Sequence, residues 1–181
     1  MQHTSFERIG RRLFLEGLVG GNFGNMSERT EQGYLITRSG SYLDEPGDLI
    51  FVQNGEEVPK NASSEYRVHQ AIYRDTPHKA IVHAHPSCAV AASLLMDQII
   101  PLDSEGKMLA PEIPVVSGDP GTEELAKNVA SALKNRNLVL AQGHGTFAAG
   151  KTLDEAYLYT SLAEHATRVL FYAGRLTPSS L

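Results

Sequence analysis

The chain has 181 residues, enough to bury a substantial core, and its apolar (41%) and charged (20%) fractions are those of an ordinary soluble globular protein. A net charge of −5 excludes a broad nucleic-acid-binding surface but leaves room for a small anion held by a few local donors. One cysteine, Cys88, excludes an intrachain disulfide framework, and the opening residues lack a signal-peptide core, so a cytoplasmic protein of one domain spanning 1–181 is expected, with no membrane partner.

In chain order, Phe6, Ile9 and Leu13 form an apolar stripe at helical spacing, which predicts a helix from about Thr4 to Leu18. Gly20-Gly21-Asn22-Phe23-Gly24-Asn25 breaks it. Met26 to Arg29 and Tyr34 to Thr37 read as a hairpin with Glu31-Gln32-Gly33 in its turn, and Leu49 to Val52 as a further strand. Ser63-Ser64 precedes a helix running to about Tyr73. Ile81 to His85 is a short buried strand, followed by an Ala-rich helix from Pro86 to Leu95. The segment from Ile99 to Pro111 carries mixed signals and is expected to be mostly loop. Ile113 to Val116 is a strand, and Asp119 with Pro120 behind it marks a helix start. That helix holds its period to Asn135. Leu138 to Ala141 and Thr146 to Ala149 are strands around a tight turn at Gln142 to Gly145. Thr152-Leu153-Asp154-Glu155 is a capping box for a final helix with Tyr159, Leu162, Ala163, Ala166, Val169, Leu170 and Ala173 on one stripe. Gly174 ends it, and Pro178 to Leu181 form a frayed tail. Hairpins mixed with crossover helices favour a mixed sheet flanked by helices.

The chemistry centres on His83-Ala84-His85. Residues i and i+2 of a strand share a face, so the two imidazoles converge as a shared metal requires. Taken alone, the pair reads equally well as two partly buried histidines at a strand end. His144 lies in a turn between Gly143 and Gly145, which let the backbone bring an imidazole close to another element. It completes a three-histidine set with an open fourth position, the catalytic arrangement for zinc, or it is a turn residue in water. Glu65, in the first turn of its helix, is either a catalytic carboxylate or a helix-dipole partner. His69, on the same side four residues on, reads as a structural partner rather than a ligand, and His165 as structural. His3 and His78 read as exposed. Three segments could grip an anion: Gly24-Asn25-Met26-Ser27, Thr37-Arg38-Ser39-Gly40, and Ser63-Ser64 at a helix start. Each alone is weak, since such residues also make caps and turns.

These motifs, with Glu65, His83-Ala84-His85 and Gly143-His144-Gly145, occur in an order that resembles the class II sugar-phosphate aldolases of the aldolase/adducin family, from about Asn22 to Tyr172. The resemblance implies a three-layer α/β/α fold with a central mixed, mainly antiparallel sheet. It implies a cyclic homotetramer with active sites between subunits, and Zn²⁺ held by His83, His85 and His144. It further implies Glu65 as the catalytic residue, a substrate-phosphate site at Gly24, Asn25, Ser39, Gly40, Ser63 and Ser64, and His69 as no ligand. The implied reaction is reversible cleavage of a small ketose 1-phosphate to dihydroxyacetone phosphate and an aldehyde. Ketose-phosphate aldolases of this family handle the aldehyde's proton with a tyrosine from a neighbouring subunit. The matching stretch, about Pro101 to Ile113, has none, which leaves Glu105 or Tyr172 as substitutes. A sister enzyme on the same scaffold (a pentulose-phosphate 4-epimerase, a methylthioribulose-phosphate dehydratase or a decarboxylase) and an adducin-like binding module remain alternatives.

Overall fold

The computed structural model describes residues 2–174, with side chains from residue 4 onward. The expected frayed tail and the side chain of His3 therefore lie outside the described residues. Eight strands form one sheet in the order β3-β2-β1-β4-β8-β7-β6-β5. They are β1 (Asn25–Arg29), β2 (Gly33–Ile36), β3 (Ile50–Gln53), β4 (Ala80–Ala84), β5 (Gln98–Ile99), β6 (Ile113–Val116), β7 (Leu138–Ala141) and β8 (Gly145–Gly150). Every neighbouring pair is antiparallel except β6 with β7. The six helices among the described residues are α1 (Gln2–Leu15), α2 (Tyr66–Asp75), α3 (Ser87–Ser93), α4 (Ser104–Leu109), α5 (Glu123–Ala132) and α6 (Leu153–Tyr172).

The central strands are apolar on both faces because both faces are covered. On one face Ile81, Val139, Ala141, Phe147 and Ala149 pack with Val68 and Ile72 of α2 and Leu125 and Val129 of α5. On the other, Val82 and Ala84 meet Phe6, Ile9 and Leu13 of α1 and Leu153 and Ala156 of α6, and Leu138, Leu140 and Ala148 meet Leu162 and Ala163 of α6. This is the expected mixed, mainly antiparallel sheet between two helical layers. None of the described helices is long and apolar enough to cross a membrane.

Several local expectations are corrected. Helix α1 ends at Leu15, because Gly17 turns left-handed (φ +68°) and Leu18 N–H reaches back to Leu13 O, closing a Schellman cap. Gly33 lies in β2 rather than in the turn; a side chain there would meet Val52 O of β3. Helix α5 is capped by Thr122, whose Oγ accepts from Leu125 N–H, and not by Asp119; Gly121, at φ +74°, interrupts any earlier start. The segment from Ile99 to Pro111 is not mostly loop. It holds the end of β5 and helix α4, capped by Asp103 and packed through Gly106 against Pro101. In α6, Thr152 caps as expected, but the Glu155 carboxylate accepts from Lys151 N–H instead of closing the box. Ala173 is exposed past the end of that helix, and Gly174 follows at φ +64°.

Candidate active site

Strand β4 runs antiparallel between β1 and β8, which places Asn25 on one side of His83 and Phe147 on the other. Cross-strand partners share a face, so these three side chains lie together on the α2/α5 side. His83 is 1% exposed and stacks on Phe147, with ring centroids 4.1 Å apart and planes at 15°. His85 falls one residue beyond the strand end, a correction to the expected strand limit. Its N–H donates to Leu18 O, and Pro86 then opens α3. Helix α3 is itself held by the buried Glu164 carboxylate of α6, which accepts from Cys88 and Ala89 N–H. The exposed ring of Phe23 stacks on His85, centroids 5.7 Å apart at 12°.

His144 reaches the same place from the β7–β8 turn. Gly143 is left-handed (φ +66°), and its N–H donates to Ser93 Oγ. At Gly145 a Cβ would lie 2.3 Å from Ala84 O and 2.9 Å from a carbon of the His85 ring, so only glycine permits this approach to β4. One ring nitrogen from each of His83, His85 and His144 lies within 4.8 Å of the others. His83 Nε2 and His85 Nε2 are 2.9 Å apart.

The electrostatics suit a cation. His83 Nδ1–H donates to Thr146 O at 2.8 Å, which leaves Nε2 as a bare lone pair when the ring is neutral. Burial and the neighbouring imidazoles hold His83 well below its usual pKa, burial lowers His85 to about 4, and burial lowers His144. His144 Nδ1 is buried with no partner among the described residues. Three neutral imidazoles with an orphaned nitrogen fit a divalent metal of the borderline kind.

Glu65 is the N-cap residue of α2, one position before its first turn, and its side chain makes no cap bond. It is 5% exposed. Burial raises its pKa, partly offset by a hydrogen bond from Gly121 N–H and by Arg67, and its Oε2 has no partner among the described residues. It is not in the histidine ligand cluster. His69 is fully buried with both ring nitrogens occupied, Nδ1 by Ser27 Oγ and Nε2 by Asn25 Oδ1, so neither is free for a metal. His165 is exposed, 3.7 Å from Asp103. His78 is half-buried rather than exposed, its Nε2 against Leu133 O and Arg136 O.

The three candidate anion-binding segments meet at one corner. Met26 N–H donates to Thr37 Oγ, Ser39 N–H donates to Asn61 O, and Arg38 bridges Ala62, which draws Ser39-Gly40 beside Ser63-Ser64. Gly24, at φ +81°, presses against His83 O, where a Cβ would lie 2.6 Å away. Ser63 Oγ accepts from Glu65 N–H, while Ser39, Gly40 and Ser64 are exposed. Glu105 and Tyr172 are exposed, and neither shares a hydrogen bond or ring contact with the three histidines. Phe23, Thr146 O and the Gly121 N–H join the site without belonging to any of its sequence motifs. Of the three, only Phe23 carries a sequence signal, as the one large apolar residue in a glycine-rich turn.

Residues 5–171 match the model of the class II aldolase and adducin N-terminal domain. A similar solved structure is L-fuculose-1-phosphate aldolase from Thermus thermophilus, at 39% identity and TM-score 0.91, covering 94% of this chain and 93% of that one. A Klebsiella pneumoniae protein described by the alternatives aldolase, epimerase and decarboxylase is 31% identical, with TM-score 0.85 over 93% of this chain and 87% of its own. The L-fuculose phosphate aldolase of Escherichia coli K12 is 37% identical over 150 residues, 77% of this chain and 68% of that protein.

Proposed function

The chain belongs to the class II aldolase and adducin family, and from that premise we propose that it is a metal-dependent aldehyde-lyase. Its substrate is a small ketose 1-phosphate of the L-fuculose 1-phosphate kind, cleaved reversibly to dihydroxyacetone phosphate and an aldehyde. The observation that carries this reading is three imidazoles, held neutral, converging beside the corner where the three candidate anion-binding segments meet. His83, His85 and His144 would hold the metal, proposed as Zn²⁺. When bound, the ion supplies Lewis-acid stabilisation of the negative charge that cleavage leaves on the three-carbon fragment.

The remaining work falls to protein groups. Asn25, Ser39, Ser63 and Ser64, with the backbone at Gly24 and Gly40, grip the phosphate, so that binding at the unreactive end orients the reactive end. Glu65 takes a proton from the carbon beside the carbonyl in the synthetic direction and returns it in cleavage. Its buried carboxyl, with a raised pKa, suits both steps. Glu105 or Tyr172 would handle the aldehyde's proton. Both are exposed, as are Met108, Leu158 and Phe171, which suits delivery from a neighbouring subunit in a homotetramer. A cytoplasmic location belongs to the same proposal, on the ground of the single free cysteine.

The lack of a tyrosine between Pro101 and Ile113 favours a second reading, a sister epimerase, dehydratase or decarboxylase using the same metal and phosphate grip. A panel of phosphorylated ketoses, assayed for dihydroxyacetone phosphate with and without chelator, decides between them. Chelator-sensitive release supports the aldolase. An isomerised or dehydrated product without release supports the sister, and full activity of metal-free protein refutes both.

A further inference from the structure

We infer that His69 is a positioning residue that turns the Asn25 side-chain amide so that its nitrogen, not its oxygen, faces the substrate phosphate; the inference rests on the phosphate reading above. Asn25 and Ser27 lie two apart on β1 and so share the face covered by α2. There they meet His69 and Tyr73, one turn apart on that helix. Tyr73 Oη lies 2.7 Å from Ser27 Oγ, Ser27 Oγ 2.6 Å from His69 Nδ1, and His69 Nε2 2.6 Å from Asn25 Oδ1. All four residues are buried.

The direction of this chain follows from its far end. The Tyr73 hydroxyl has one partner among the described residues, Ser27 Oγ, and a buried phenolic proton needs an acceptor. Tyr73 therefore donates to Ser27. Ser27 spends its own proton on His69 Nδ1. A neutral imidazole has one N–H, and burial holds His69 neutral, with a pKa lowered to about 3. That N–H sits on Nε2 and donates to Asn25 Oδ1. The amide oxygen is thus committed, and the amide nitrogen has no protein partner among the described residues, although it is not sealed from solvent. Asn25 also stands directly across the ladder from His83. Reversing the chain would strand the Tyr73 proton and present an oxygen to an anion, so the network selects the donor orientation.

Two measurements test this. In ¹⁵N-labelled full-length protein, long-range ¹⁵N–¹H correlation should show His69 as the Nε2–H tautomer; an Nδ1–H tautomer overturns the inference. With metal-loaded protein, calorimetric titration with inorganic phosphate should show His69→Phe weakened about 10- to 100-fold, the worth of one hydrogen bond to a charged group. The KM for the ketose 1-phosphate should rise by a similar factor with kcat changed less. The kcat/KM for the unphosphorylated ketose should hold within about 2-fold of wild type. His69→Gln, which keeps an N–H toward Asn25, should restore part of the affinity. In an Asn25→Ala background, His69→Phe should add less than about 2-fold, because it acts through that amide. Equal phosphate affinity in wild type and His69→Phe, or full additivity with Asn25→Ala, overturns the role. Wild-type protein that binds no phosphate overturns the phosphate reading itself, and this role with it. If His69→Phe does not fold, the tautomer and the His69→Gln titration decide.

Discussion

Replacing Gly145 by alanine should cost both stability and metal affinity. The new methyl would sit 2.3 Å from Ala84 O and 2.9 Å from the His85 ring, where ordinary contact needs about 3.5 Å. The nearest obstacle is a backbone carbonyl in the central strand β4, which cannot swing aside as a side chain can. Roughly 1 Å of displacement must be found between β4 and β8. Overpacking of this kind costs about 1–3 kcal/mol, or about 3–10 °C in Tm for a chain of this size. The same displacement separates His144 from His83 and His85, and coordination tolerates only about 0.2 Å. Competition with a chromophoric chelator should therefore show metal affinity down at least about 10- to 100-fold. Gly47→Ala is the control. Gly47 is left-handed (φ +60°) with open space around it, so its alanine costs about 1 kcal/mol of backbone strain without touching the site. Wild-type metal affinity in Gly145→Ala, or an equal loss in Gly47→Ala, would refute the geometric argument.

Glu65→Gln should keep its metal while kcat falls at least about 100-fold, read by metal analysis and turnover of the same preparation. Burial raises the folded-state pKa of Glu65, so its stability contribution is present at low pH and lost as pH rises through that pKa. The melting temperature of metal-free Glu65→Gln relative to wild type should therefore climb between pH 4 and pH 8; a falling difference contradicts the burial argument. For His69, whose folded pKa is lowered from 6.5 to about 3, the sign is opposite. Its contribution is complete above pH 6.5 and drains away toward pH 3, so His69→Phe should flatten the acid limb of the stability profile in that window. Thr152→Ala, which removes the cap on Glu155 N–H, should lower stability by about 1 kcal/mol and leave phosphate binding unchanged. Added Zn²⁺ should raise the Tm of chelator-treated protein, and no shift at micromolar metal would count against the three-histidine site.

Most of the fold was legible because burial on both sheet faces writes long apolar runs, and because Leu138–Ala141 and Ile113–Val116 are bounded by clear turn residues. The segment from Ile99 to Pro111 resisted reading for a physical reason. Helix α4 is only six residues long, too short to show a helical period; it is fixed by the Asp103 cap, the close approach of Gly106 to Pro101 and the packing of Leu109 on the core. The start of α5 is ambiguous in the sequence because Asp119-Pro120 and Thr122 both carry capping chemistry, and only the left-handed Gly121 decides between them. In the site, side-chain spacing announced His83 and His85, and flanking glycines announced His144. The groups that tune His83 and Glu65, Thr146 O and Gly121 N–H respectively, are backbone atoms that no residue type betrays.

The pairing of Asn25 with His83 makes the β1–β4 ladder a ruler. If phosphate and reacting carbon are gripped from the two sides of this one rung, the length of acceptable substrate is set by strand register and not by loop plasticity. A one-residue slip would carry Asn25 and Ser27 to the α1/α6 side of the sheet and bring Met26 into their place. An insertion in β1 would then erase the measuring device, whereas loops at the rim could drift and change the substrate accepted without altering the span between the two side chains.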